Sequence, residues 1–198
     1  MSQWDERYAR EGWAFGTEPN DFLKEEAHRI PEGGRVLCLG EGEGRNAVHL
    51  ASLGYRVVAV DLSAVGMRKA RGLAAERGVS VETLVASVEE LDLGEGEWQG
   101  IVSIFFHLPP ELRRAVHSQV ARGLAPGGVF VLEAYTPRQL ELGTGGPPHA
   151  HRLPTLAVLR EELEALQLAV GRELEREIHE GWMHTGRGAV VQVVGVRP

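Results

Sequence analysis

Three glycines at alternate positions, Gly40, Gly42 and Gly44, follow the apolar run Val36-Leu37-Cys38-Leu39, and a second apolar run, Val57 to Val60, ends on Asp61. An apolar strand that breaks into glycines, followed by another that ends on a carboxylate, is the pattern of a β-α-β unit that receives an adenosine-containing ligand. Glycine lets the backbone turn sharply and approach a ligand where a Cβ would collide. The acid stands at the carboxyl end of the neighbouring strand, where its two oxygens can accept from both ribose hydroxyls, and Asp61 follows Gly40 at about the 20-residue separation this requires. Each half alone is a weak signal; the pair is a strong one.

The glycine spacing departs from the G-x-G-x-x-G of dinucleotide folds, in which a pyrophosphate rests on the helix amino end. The loop also carries Glu41 and Glu43. Carboxylates repel a pyrophosphate, whereas a ligand with an ammonium and a sulfonium tolerates them. This favours S-adenosyl-L-methionine over NAD. The alternative is that both side chains, Glu43 above all, simply face water.

The run VLCLGEGEGRNAVHLASLGYRVVAVDLS resembles the cofactor half of class I S-adenosylmethionine-dependent methyltransferases. The opening WDERYAREGWAFGTEPNDFL, with SIFFHLPPELRR and LAPGGVFVLEAYTP, is similar to the small methyltransferases grouped with tellurite-resistance and thiopurine methyltransferases. The resemblance covers nearly the whole chain and implies a Rossmann-like α/β fold, methyl transfer to a small-molecule acceptor, and a cofactor held by Gly40, Glu41, Gly42, Gly44, Asp61, Leu62, Ser87, Val88 and Phe105. Two positions depart from the pattern of many relatives. Cys38 stands where the first strand carries an acid, and Ser87 where an Asp follows the third strand.

The elements that must position these residues read as alternating strands and helices. Strands are expected at Arg35 to Leu39, Arg56 to Val60, Ser80 to Val85, Gly100 to Phe106 and Val129 to Ala134. The intervening helices run from about Gly44 to Leu53, from Ala64 to Arg77 and from Pro109 to near Gly123. A helix over Thr155 to Leu166 and two late strands, about Gly171 to His179 and Gly188 to Val196, complete a seven-stranded, mostly parallel sheet whose last strand is antiparallel, with helices on both faces. One domain, 1–198, is expected, with 1–30 as an amino-terminal lid and 31–198 as the core.

Ligands of such a sheet bind beyond the carboxyl ends of its strands. His107, directly after the fourth strand, is the candidate general base, or else a helix-start histidine that shapes the pocket. Tyr135, after the fifth strand, either orients the acceptor or packs. The turn Glu180 to Arg187 brings Trp182, Met183 and His184 to the same edge, and the Gly/Pro-rich loop Gly143 to Pro154 exceeds the usual connection length, as a substrate loop does. Trp4, Tyr8, Trp13 and Phe15 supply an aromatic lid able to stabilise a cation by about 0.5–2 kcal/mol, with Tyr8 and Trp13 facing the acceptor, or else a packed helix. His149, His151, His179 and His184 lack the spacing of a metal site, and none is expected.

The 198 residues suffice for one α/β core, and the net charge of −7 argues against a nucleic-acid backbone as partner. One cysteine excludes an intrachain disulfide and fits a cytoplasmic location. No apolar run approaches the length of a membrane span, and the polar start MSQWDERYAR is not a signal peptide. Two other readings stay open: a nicotinamide-dependent oxidoreductase, for which no room remains for a substrate domain, and a non-catalytic adenosyl-ligand sensor or partner-binding module.

Overall fold

The computed structural model describes residues 3–198. Seven strands, β1 (Arg35–Leu39), β2 (Arg56–Asp61), β3 (Glu82–Val85), β4 (Trp98–Ile104), β5 (Leu124–Tyr135), β6 (Gln167–Glu180) and β7 (His184–Val196), form one sheet in the order β3-β2-β1-β4-β5-β7-β6. The first five are parallel, and β7 runs against both β5 and β6, so the last strand is the antiparallel one. The helices are α1 (Gln3–Tyr8), α2 (Asp21–Glu26), α3 (Arg45–Ser52), α4 (Ala64–Glu76), α5 (Pro110–Gly123), α6 (Gln139–Leu142) and α7 (Leu156–Glu162).

The central strands are apolar throughout because both of their faces are covered. Alternate residues of β1 go to opposite sides. Leu37 and Leu39 join a core with Val116 and Val120 of α5 and Leu159 of α7, whereas Val36 and Cys38 join Leu23 of α2, Leu50 of α3 and Met67 of α4. Each large apolar side chain buried this way contributes about 1.5–3 kcal/mol.

Several boundaries differ from the expected ones. β4 ends at Ile104 instead of Phe106 because Phe105 adopts φ 51°, the one positive φ among the described non-glycine residues. α7 stops at Glu162, short of Leu166. β6 and β7 are longer than expected, and the turn between them shrinks to residues 181–183. β6 is an edge strand, and its run Glu173-Leu174-Glu175-Arg176-Glu177 masks the apolar alternation on which strand recognition depends.

Candidate active site

The glycine loop leaves β1 with Gly40 at φ 61° and Gly42 at φ 65°. What crowds these glycines is the protein itself. A Cβ on Gly40 would lie 2.2 Å from the Phe106 ring, one on Gly42 2.5 Å from the Tyr8 hydroxyl, and one on Gly44 2.6 Å from Ala70 Cβ. Gly42 thus admits the lid tyrosine, and Gly44 lets α3 and α4 meet, which corrects the expectation that room for a ligand is the main demand.

The two loop carboxylates also have protein partners. Glu41 Oε1 accepts the N–H groups of Asn46 and Ala47, each at 2.9 Å, and so satisfies first-turn donors of α3. Burial raises its pKa to about 7, against the lowering effect of those two bonds and of Arg45. The Cys38 thiol, itself pushed up by burial, hydrogen-bonds Glu41. An acid is therefore present at this helix start, carried by the loop three residues beyond the strand position that Cys38 fills. Glu43 does not face water. It is buried, accepts the Ala14 N–H at 2.7 Å and pairs with Lys69, which also donates to the carbonyls of Gly12 and Tyr8. The loop-charge argument is thereby narrowed to Glu41, because Glu43 ties the amino-terminal segment to the core.

Beyond the strand ends lies a cavity of about 680 Å³. Gly40, Glu41, Asp61, Leu62, Ser87 and Val88 line it, together with Tyr8, Phe105, His107 and His184. Asp61 Oδ2 accepts from the Gly42 N–H at 2.9 Å and Oδ1 from the Ser63 N–H at 2.8 Å, which leaves each oxygen a further lone pair. Burial raises its pKa, with both backbone bonds opposing.

Five expected residues are outside the lining. Gly42 and Gly44 act through packing, as described. Trp13 lies against Lys69 at 4.9 Å and packs beside Val48 and Leu73. Trp182 is half exposed at the hairpin tip, 5.4 Å from the Arg10 guanidinium. Tyr135 is fully buried behind the wall, its ring 4.6 Å from Phe105 and 5.3 Å from His184. Conversely, Arg45, Asn46, Phe106 and Arg152 border the cavity without having been singled out. Arg45 and Asn46 open the helix that follows the glycines, a position that signals the cavity edge; Arg152 sits in a loop with no motif around it.

The amino-terminal segment forms one wall. Trp4 stacks on Tyr8 at 5.6 Å, Phe15 contacts both, and Phe15 reaches His184 at 4.6 Å. Asp5 accepts from the Ser63 hydroxyl at 2.6 Å, and the Met183 N–H donates to the Ala14 carbonyl at 3.0 Å, so the segment is held at both ends of the cavity.

His107 Nε2 accepts the Tyr135 N–H at 3.0 Å, and the ring also hydrogen-bonds the backbone of Phe105. Burial, with His184 and the Arg113 and Arg152 guanidiniums, pushes its pKa down to about 3. Burial raises the Tyr135 hydroxyl above its ordinary value. The imidazole is thus neutral, with Nε2 occupied by the Tyr135 N–H, and it locks the end of β4 to β5.

Behind the cavity is a buried polar network. Glu133 binds Arg176, Asn20 Nδ2 and Gln192, and Glu180 binds Arg45 at 2.6 Å, Asn20 at 2.9 Å and Arg176 at 3.3 Å. It joins the amino-terminal segment, α3, β5 and the β6–β7 hairpin. His149 and His151 stack on each other at 5.5 Å. Among the described residues no group of three or more His, Cys, Asp or Glu side chains could hold a metal, and no helix is long and apolar enough to cross a membrane.

Residues 36–128 match the methyltransferase domain family. Over 145 residues the chain is 30% identical to a 2-heptyl-1-hydroxyquinolin-4(1H)-one methyltransferase of Mycobacteroides abscessus, an alignment covering 70% of this chain and 62% of that protein. The chain thus spans less than two thirds of this relative. In fold it is similar to a protein of echinomycin biosynthesis solved in work on the conversion of a disulfide bond into a thioacetal group (TM-score 0.77, 21% identity, 98% of this chain and 90% of that one). It is also similar to a SAM-dependent methyltransferase from Methanosarcina mazei (TM-score 0.71, 19% identity, 91% and 98% covered). The residues at hand fit such a cofactor: Asp61 offers lone pairs to a diol, the carboxyl groups of Glu41 and Asp61 border the cavity, and the cations Arg7 and Arg45 are engaged by Trp4 and Glu180. An acidic and aromatic wall of this kind suits a sulfonium better than a pyrophosphate.

Proposed function

We propose that the protein transfers a methyl group from S-adenosyl-L-methionine to a small-molecule acceptor. The observation that carries this reading is the single cavity in which the edge bearing Asp61, Ser87 and Val88 continues to the ends of β4 and β5 under an aromatic wall. When bound, the sulfonium supplies a methyl group activated for transfer. The protein has then to align the acceptor and keep water out. Asp61 binds the ribose, Ser87 and Val88 border the adenine with Leu62, and Gly40, Glu41 and Gly42 shape the methionine end, with Gly44 fixing the helix behind it. Tyr8 and Phe105 enclose the reacting region. His107 is a positioning residue that holds Phe105 and Tyr135 in place. The narrower resemblance to tellurite-resistance and thiopurine methyltransferases supports a small acceptor, as does the size of the cavity, and the single buried Cys38 accords with a cytoplasmic setting.

Calorimetric titration with S-adenosylmethionine, S-adenosylhomocysteine and NADH tests this directly. Binding of the two adenosyl-sulfur ligands without NADH is expected, and NADH binding alone would refute the reading. Cofactor binding with no product from thiol, amine, hydroxyl and chalcogen acceptors would instead identify a sensor that keeps the fold without turnover.

A further inference from the structure

His184 opens β7 and borders the cavity, with 6% of its surface exposed. Three aromatic side chains fix its ring: Phe15 at 4.6 Å, Phe105 edge-on at 4.8 Å and Tyr135 edge-on at 5.3 Å. Nδ1 is shut off from solvent without a hydrogen bond and stands 3.8 Å from Glu180 Oε2. Among the described residues no protein group hydrogen-bonds Nε2. Because the ring borders the cavity and Nδ1 is turned to Glu180, the nitrogen left for a ligand is Nε2.

The group behind Nδ1 is a fixed negative charge. Glu180 carries two guanidiniums, Arg45 at 2.6 Å and Arg176 at 3.3 Å, and stays ionised beside them. A carboxylate at this distance favours the tautomer with its hydrogen on Nδ1, which leaves the Nε2 lone pair free. Burial lowers the pKa of His184, aided by Arg45 and opposed by Glu180 and Glu133, so the ring is neutral at neutral pH. His107, uncharged through burial and the field of His184, adds no charge of its own.

The other imidazoles and buried carboxylates of the cavity are committed elsewhere. His107 Nε2 receives the Tyr135 N–H, Glu41 Oε1 receives two N–H groups of α3, and Asp61 receives those of Gly42 and Ser63. His149 stacks on His151, with no carboxylate partner among the described residues. His184 alone combines an unoccupied nitrogen on the cavity with a carboxylate behind the ring, the pairing a general base requires.

We propose that His184 is the general base of the methyl transfer, taking the proton of an acceptor whose reacting atom arrives protonated, with Glu180 as the positioning residue that holds its tautomer. This rests on the methyl-transfer reading above. The acceptor lone pair forms the bond to the methyl carbon, the carbon–sulfur bond breaks with its electron pair left on sulfur, and the acceptor proton passes to Nε2. The imidazolium so formed faces the Glu180 carboxylate and gives its proton to water once the product has left. The role expected of His107 thus falls to the imidazole at the start of β7.

The test compares two probe acceptors with the full-length protein and S-adenosylmethionine: 4-methylphenol, protonated at neutral pH, and 4-nitrobenzenethiol, ionised there. His184→Phe keeps a ring between Phe15, Phe105 and Tyr135 and removes both nitrogens; should it fail to fold, His184→Gln takes its place. Loss of the base should lower turnover of the phenol about 100-fold or more and that of the thiolate by less than about tenfold. The affinity for S-adenosylhomocysteine should not change. In the wild type the rate with the phenol should rise with pH along a limb below 6.5, the ordinary histidine value, and the thiolate should lack that limb. Equal losses for the two probes, or none, would overturn the proposal, as would a wild type that binds S-adenosylhomocysteine and fails to methylate the phenol. Nitrogen NMR of the wild-type imidazole needs no variant: hydrogen on Nε2 in place of Nδ1 also overturns it. If S-adenosylhomocysteine does not bind, the methyl-transfer reading itself falls, and the base role with it.

Discussion

Replacing Asp61 by Asn removes one charge and turns one of two acceptor oxygens into a donor. In the protein the two oxygens accept from Gly42 and Ser63 at 2.9 and 2.8 Å. The amide can satisfy one of those N–H groups and sets its own NH2 against the other, which costs the fold about 1–3 kcal/mol. Because burial disfavours the ionised form of Asp61, removal of the charge offsets part of that cost, and the net loss should fall near the lower value. Cofactor binding carries a separate penalty. A hydrogen bond from a ribose hydroxyl to a charged acceptor is worth about 1.5–3 kcal/mol, so S-adenosylhomocysteine should bind about 10- to 150-fold more weakly. Calorimetric titration gives the affinity, and urea denaturation of the same preparation gives the stability. A variant that unfolds cooperatively and binds within about twofold of wild type would show that Asp61 serves only to brace the loop.

Further expectations concern the groups that hold the site. Glu41 has its pKa raised from 4.5 to about 7, so between these values the folded protein keeps a proton that the unfolded chain has released. Stability must then fall as pH rises through that window, by up to about 3 kcal/mol, and Glu41→Gln, which keeps one carbonyl oxygen for Asn46 and Ala47, should flatten the decline in urea melts at pH 5 and 8. Glu43→Gln removes the pair with Lys69 and weakens the tether to Ala14, so trypsin should cut after Arg7 and Arg10 several-fold faster while the core remains protected. Glu180→Gln leaves Arg45 buried without its counter-charge and should cost about 3–5 kcal/mol; adding Arg45→Gln should restore part of it, since the two effects are coupled.

The parts of the fold that were legible in sequence are those where one physical demand dominates. β1 and β2 are buried on both faces and read as unbroken apolar runs, and Asp61 stands at a fixed distance from Gly40. β6 was underestimated because its length comes from pairing with β7, not from its own charged sequence. The end of β4 was misplaced because nothing in Phe105-Phe106-His107 announces a left-handed residue. In the site, Asp61, Ser87, Phe105 and His107 border the cavity where the strand ends put them, but the neighbouring Phe106 carries no sequence signal, Tyr135 is buried behind the wall, and side chains whose role depends on a distant partner are not legible. Glu41 serves α3, Glu43 serves Lys69, and Trp13 packs on α3 and α4, each through a contact that spacing along the chain does not encode.

The clasp between the amino-terminal segment and the β6–β7 hairpin has a kinetic consequence. Asn20 bonds Glu180 across 160 residues, Ala14 bonds Met183, and a Cβ on Gly181 would strike the Ala14 carbonyl at 2.3 Å, so the two segments fit only when both are in place. The β1-α3-β2 and β2-α4-β3 units close short loops and can assemble early, whereas this clasp closes one of the longest loops in the molecule. The cavity wall containing Tyr8, Phe15 and His184 is accordingly expected to be completed after the folding barrier, and stopped-flow urea jumps with and without S-adenosylhomocysteine check this. A ligand bound there acts on the unfolding limb: it slows the opening of the finished protein and leaves the rate of its formation unchanged.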